Sequence, residues 1–153
     1  ALRYLGYRKR TRKQLLDYLE KKEVDSLVAE ETAIKMEEYG FLDDEEYAAS
    51  WVENKKVGHP TGRRKIAYEL KAKGISQEVV EAALWEFSEE EEFKQAVKLA
   101  EKYSKRYENL PKRERSAKSG QALQRRGFEW DMVYKTIQAL SIEDSVEEPF
   151  DYI

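Results

Sequence analysis

The chain has no cysteine, which excludes disulfides, thiol nucleophiles and cysteine-ligated zinc or iron–sulfur centres. Its one histidine, His59, sits beside Pro60 with no identifiable nucleophile to serve, so histidine-based catalysis has no constellation here. Only three prolines and seven glycines interrupt 153 residues, and runs of alternating apolar and polar residues are missing. Without strand patterning the fold is expected to be all-α. No apolar stretch approaches the roughly 18 residues that a bilayer-crossing helix needs, and no signal-like segment occurs. The expectation is a soluble cytoplasmic chain with no membrane contact. Ala1 already lies inside an apolar-periodic stretch, so further residues are expected upstream of it.

What is present is periodic. A mean hydropathy of −0.86 and 39% charged residues leave little apolar surface. Yet hydrophobic residues make up 41% of the chain and recur at helical spacing, enough for a thin layered core. They also recur at a longer interval. Val24, Ile75 and Phe128 lie 51 and 53 residues apart, and each is preceded five positions earlier by leucine: Leu19, Leu70 and Leu123. Four positions later come Val28, Val79 and Met132; nine later, Ala33, Leu84 and Ile137; twelve later, Met36, Phe87 and Leu140. Gly74 and Gly127 precede the anchor in two copies, where the first has Glu23. A period near fifty implies one supersecondary unit per copy, each burying its apolar face against its neighbours. The expected architecture is three tandem three-helix repeats, the last incomplete or frayed, stacked into an elongated curved array. The boundaries read as 1–56, 57–109 and 110–145, with an acidic tail over 146–153.

Cap and stop signals place the helices. Thr11 opens Arg12–Lys22; Asp25 or Ser26 opens a helix to Tyr39 that Gly40 closes. Asp43 and Glu46 form a capping pair for a helix through Trp51 to Lys56. Helices follow over Arg63–Lys73, Gln77–Phe87 behind Ser76, and a third from Ser88 with Glu91 to about Tyr107. The last copy holds helices over about 112–125 and Trp130–Leu140, with a further one expected to begin at Ser141 before Pro149 interrupts it.

Charge swings with the repeat. Net charge is +5 over residues 1–24, −9 over 25–54, +6 over 55–76, −7 over 77–92, +8 over 93–126 and −6 over 127–153. The total of −3 hides these bands, and local basic patches bind phosphate whatever the net charge. Self-solvation and capping explain acidic helix starts but not helices that begin with cations against their own dipole. The candidate partner-binding residues are therefore Arg8, Arg10, Arg12, Lys13, Arg63, Arg64, Lys65, Lys73, Lys112, Arg113, Arg125 and Arg126. Arg12 and Lys13 align with Arg63 and Arg64, so positive charge is expected at intervals along one side, suited to a phosphate backbone or an acidic protein. The carboxylates Asp43–Glu46 could hold Mg²⁺, but at a helix start they are read as caps, and Glu89–Glu92 likewise. No catalytic residue, cofactor or metal is expected. Most aromatics fall at core spacing; Tyr4 and Tyr7, beside arginines, stay open as base-stacking candidates.

Four stretches resemble the RecX family of bacterial recombinase regulators. These are Ala1-Leu2-x-Tyr4-Leu5 with Arg8-x-Arg10-Thr11-x-x-Gln14-Leu15; Gly40-x-Leu42-Asp43-Asp44-x-x-Tyr47-Ala48-x-x-Trp51-Val52; Gly62-x-x-x-Ile66-x-x-Glu69-Leu70-x-x-Lys73-Gly74-Ile75; and Leu123-x-x-Arg126-Gly127-Phe128. Tyr47 stands where the family more often has phenylalanine, and Glu23 where the other copies have glycine. The resemblance implies tandem three-helix repeats that bind the RecA recombinase. In that reading the chain, as a monomer, occupies the groove of RecA filaments on single-stranded DNA. It would hinder filament extension, ATP hydrolysis, strand exchange and coprotease activity. An independent DNA-binding helical module and a structural helical adaptor are the alternatives. The first would bind bare DNA with steep salt dependence, and the second would bind neither DNA nor filament.

Overall fold

Side-chain caps mark where several of the helices begin, at positions the sequence carries. A computed structural model describes residues 1–147, with side chains described through Ser141; the remainder of the tail, Pro149 included, lies outside the described residues. The described residues form nine helices and no strand: α1 (Leu2–Tyr7), α2 (Arg12–Lys21), α3 (Ser26–Glu38), α4 (Asp44–Gly58), α5 (Arg63–Ala72), α6 (Gln77–Trp85), α7 (Glu89–Arg106), α8 (Lys112–Arg125) and α9 (Trp130–Glu147). Thr11 and Gln14 form a reciprocal capping box on α2, and Ser88 and Glu91 form another on α7. Asp25, Asp43 and Ser76 accept from the first-turn N–H groups of Leu27, Glu46 and Val79.

The repeated apolar pair turns out to be one turn of backbone. Val24 N–H donates to the Leu19 carbonyl (3.1 Å), Ile75 N–H to Leu70 (3.1 Å) and Phe128 N–H to Leu123 (3.2 Å). This six-residue closure ends a helix and brings two apolar side chains together, which is why the leucine always stands five before the anchor. It requires a residue with positive φ between them, supplied by Glu23 (φ 60°), Gly74 (φ 87°) and Gly127 (φ 86°). Gly74 and Gly127 have a second reason to be glycine. A Cβ at Gly74 would stand 2.3 Å from the Lys13 Cβ, and one at Gly127 would stand 2.1 Å from the Lys65 Cβ. Thus the end of α5 packs on the start of α2, and the end of α8 packs on the start of α5. Hydrogen bonds repeat the joint: Thr11 Oγ1 donates to the Lys73 carbonyl (2.6 Å), and Gly62 N–H, at the equivalent position, to the Arg126 carbonyl (2.8 Å).

The chain divides into two compact units, one of residues 1–54 with 67–86 and one of 55–66 with 87 onward. In the first, Leu15, Leu19, Ala29, Ala33, Met36 and Leu42 form a buried cluster flanked by Tyr4, Leu5, Tyr18 and Val24. Leu70, Ile75, Val80 and Leu84 are buried in the same unit. In the second, Ala96, Leu99, Ala100, Leu123, Phe128 and Val133 form the cluster, with Tyr103, Met132, Ile137 and Leu140 against it. Burying each large aliphatic side chain contributes roughly 1.5–3 kcal/mol.

Two expectations are corrected. The column Val28/Val79/Met132 is not core: Val28 is 51% exposed and the other two are half-buried. The buried column is the next position, Ala29, Val80 and Val133, each 5% exposed or less. A small alanine in the first copy disguised it. No helix starts at Ser141 either, because α9 runs unbroken to Glu147. Residues 141–147 contain no glycine or proline, so nothing in them stops a helix already under way.

Candidate nucleic-acid interface

Helices α2 and α5 begin with cations, which the helix dipole disfavours, and each start is relieved by an acid from another helix, half-buried Asp44 for α2 and buried Glu92 for α5. Asp44 Oδ1 accepts from Arg12 N–H (2.9 Å), and Glu92 Oε1 accepts from Arg63 N–H (3.1 Å). Burial pushes both carboxyls above their ordinary pKa, while the backbone N–H each accepts pulls it back down. By position in the sequence, both acids are expected to serve their own helices. Asp43, Ser88 and Glu91 do that, whereas Asp44 and Glu92 cap a neighbour.

In the first unit the candidate cations sort by what already holds them. The Arg12 guanidinium hydrogen-bonds Glu37 (2.6 Å) and Glu30, which raises its pKa and lowers that of Glu30. Arg12 is committed within the fold. Lys13 is exposed at its tip, its stem lying against Gly74. Arg8, Arg10 and Lys73 come together around a concavity of about 360 Å³. The extended segment after α1 supplies Arg8 and Arg10 together with Lys9, and α2 supplies Gln14. Lys73 enters from the end of α5. The wall is a stripe of α4 at helical spacing: Tyr47, Ser50, Trp51 and Asn54.

Aromatic rings anchor Arg10 and Lys73. Arg10 lies 4.6 Å above the Tyr4 ring, and Tyr4 stacks on Tyr18 with centroids 4.0 Å apart. The Arg10 Nε is buried without a hydrogen-bond partner. Lys73 lies 4.7 Å from the Trp51 centroid, Tyr47 is near-parallel to Trp51 at 6.1 Å, and the Trp51 indole N–H donates to Glu69 (3.0 Å). Each such contact holds a charge at a fixed place for roughly 0.5–2 kcal/mol. Burial pushes the Tyr47 hydroxyl pKa up while Arg8 and Arg10 pull it down. Lys9 pairs with Glu46 at the exposed rim (2.6 Å).

In the second unit, Arg64 donates to the Gln124 carbonyl (3.2 Å) and Arg126 Nε to the Pro60 carbonyl (3.0 Å), so both are partly used in holding the end of α8 to the start of α5 and its preceding loop. The Lys65 stem packs at Gly127. Lys112, Arg113 and Arg125 project into solvent from α8, and Arg63 and Lys65 are half-buried.

Charge alone does not single out Gln14, Tyr47, Ser50, Trp51 and Asn54 as site residues. The signal for four of them was on α4: positions 47, 50, 51 and 54 carry hydroxyls, an indole and an amide, while Ala48 and Val52 on the other face are buried. Of the two stacking candidates, Tyr4 is used internally and Tyr7 is 80% exposed. The acids Asp43, Asp44 and Glu46 each have a structural partner, and among the described residues no group of three or more His, Asp or Glu side chains is arranged to hold a metal ion. No helix among the described residues is long and apolar enough to cross a membrane.

Comparison with known proteins gives three family-model matches: RecX, first three-helix domain, over residues 1–36; second three-helix domain over 43–84; and third over 89–137. These frames begin with α1, α4 and α7. The internal similarity aligns only the pairs α2–α3, α5–α6 and α8–α9, so it could not show whether α4 and α7 group with the pair before or the pair after. The regulatory protein RecX of Bacillus subtilis (strain 168) is 34% identical over 144 residues, 94% of this chain and 54% of that protein. The chain thus spans about half the length of such curated relatives. The regulatory protein RecX of Streptomyces lividans is 32% identical over 144 residues, 94% of this chain and 77% of that protein. The crystal structure of RecX from Lactobacillus salivarius matches with a TM-score of 0.85 and 30% identity over 92% of each chain.

Proposed function

This chain belongs to the RecX family, and from that premise we propose that it is a negative regulator of the RecA recombinase, acting by occupancy rather than by catalysis. It binds the RecA filament on single-stranded DNA, in the groove, and so restrains filament extension, ATP hydrolysis, strand exchange and coprotease activity. The observation that carries this reading is the match of all three RecX three-helix domains in order along one chain. The site supports it from below. Arg8, Arg10 and Lys73 converge on one concavity, and Lys112, Arg113 and Arg125 are solvent-facing on α8. Such cations suit a polyanion. Arg12 contributes by holding α2 in place.

The test compares binding to RecA–single-strand filaments, bare single strands and free RecA at matched salt. Tight binding to the filament with weak binding to the other two is expected. Equal affinity for bare strands would favour a DNA-binding module, and binding to none a structural adaptor.

A further inference from the structure

We propose that the concavity between the Arg8–Arg10 segment, α4 and the end of α5 is a phosphate-binding pocket that takes the backbone of a single strand without reading its bases. This deepens the proposed function and rests on its DNA contact. The pocket lining carries four cations, Arg8, Lys9, Arg10 and Lys73, and no carboxylate. Lys9 alone of these pairs with an acid. Arg10 is held over its Tyr4 platform at the pocket lining. A guanidinium fixed over an aromatic ring at the edge of a cationic hollow, with no acid paired to it, is arranged for an oxyanion at its outer N–H groups. Asn54 and Ser50 add neutral polar groups on the wall.

The aromatics decide between phosphate and base. A base-stacking platform needs an open ring face. Trp51 has Lys73 over its ring, Tyr47 near-parallel to it, and its N–H donated to Glu69. Its role is to position Lys73 rather than to receive a base, so recognition falls to the cations and is indifferent to sequence.

Replacing Trp85 and Trp130 by phenylalanine leaves Trp51, seated in the pocket, as the sole tryptophan, to be excited at wavelengths that the tyrosines do not absorb. Oligonucleotides of dT and dA without terminal phosphates, inorganic phosphate and dTMP are then titrated with no recombinase present. A saturable change in Trp51 emission, equal for dT and dA, is expected with the oligonucleotides and assigns the backbone phosphodiester. A response to inorganic phosphate or dTMP alone assigns a free phosphate to the same pocket, which keeps the phosphate site but overturns its assignment to a strand. Arg10→Ala and Lys73→Gln should each weaken the response and lower the slope of log affinity against log salt by about one, whereas Lys98→Ala should not. Arg10→Lys, which keeps the charge, separates lost contact from misfolding, and unchanged helicity is the check on every variant. No Trp51 response to any of these probes, or one that survives both Arg10→Ala and Lys73→Gln in folded protein, overturns the pocket. RecA inhibition by the same variants is measured separately. Inhibition that persists without Trp51 response sinks the pocket and spares the regulatory reading.

Discussion

Glu23, Gly74 and Gly127 occupy the same place in a repeated turn, but the reasons for glycine differ. All three need positive φ, which costs a side-chain-bearing residue about 1–2 kcal/mol. Only Gly74 and Gly127 are pressed against another helix start, whereas Glu23 is exposed. Glu23→Gly should therefore raise stability by about 0.5–1 kcal/mol once the glycine's greater unfolded-state freedom is deducted. Gly127→Ala should lower it by about 2 kcal/mol or more, since strain and close approach combine. Urea denaturation of the two variants checks both signs. Glu92 supports a second residue-scale prediction. Glu92→Ala leaves the Arg63 N–H without its acceptor and should cost about 1–2 kcal/mol, whereas Glu92→Gln keeps an acceptor oxygen. Because burial raises the Glu92 pKa, the folded state holds its proton more firmly than the unfolded chain. Its contribution is most favourable below the ordinary carboxylate range and declines as pH rises through the raised value. Glu30, lowered by Arg12, behaves in the opposite sense and loses its contribution as pH falls. Urea midpoints between about pH 4 and 8 should therefore decline less with rising pH in Glu92→Gln than in the parent.

At the scale of elements, caps and periodicity made the helices legible. Thr11, Asp43, Ser76 and Ser88 cap where their chemistry says they should, and the leucine–anchor pairs mark three real turns. What escaped was whatever depends on partners distant in sequence. Asp44 looks like any first-turn acid until α2 is seen beside it. Ala29 looks negligible beside Val28, although it is the buried one. Substitutions separate the two columns. Val80→Ala should cost roughly 1–3 kcal/mol and Leu70→Ala roughly 2–5 kcal/mol, while Val28→Ala should stay within about 0.5 kcal/mol. Thermal or urea unfolding in which Val28→Ala costs as much as Val80→Ala would return Val28 to the core. The candidate site was half legible for the same reason. Arg8, Arg10 and Lys73 announced themselves by charge, but Arg12, equally basic, is spent on Glu30 and Glu37, which only the fold brings to it.

Over the whole molecule, a net charge of −3 conceals cations that face solvent in both units. Exposed charges of this kind contribute about 0–1 kcal/mol each to stability, so their number is better explained by what they meet than by what they hold together. Reversing Lys112, Arg113 and Arg125 to glutamate should leave helicity and melting temperature nearly unchanged. Glu89→Gln with Glu90→Gln is the matched control, which spares the buried Glu92 and the Glu91 that pairs with Lys56. The most direct measurement is the rate of single-strand-dependent ATP hydrolysis by RecA as this protein is titrated in. The parent should suppress the rate, the cation-reversed variant should not, and the acid-neutralised control should match the parent. A parent that leaves the rate unchanged would contradict the regulatory reading. Suppression that survives the cation reversal and disappears in the control would move the contact to the acidic surface.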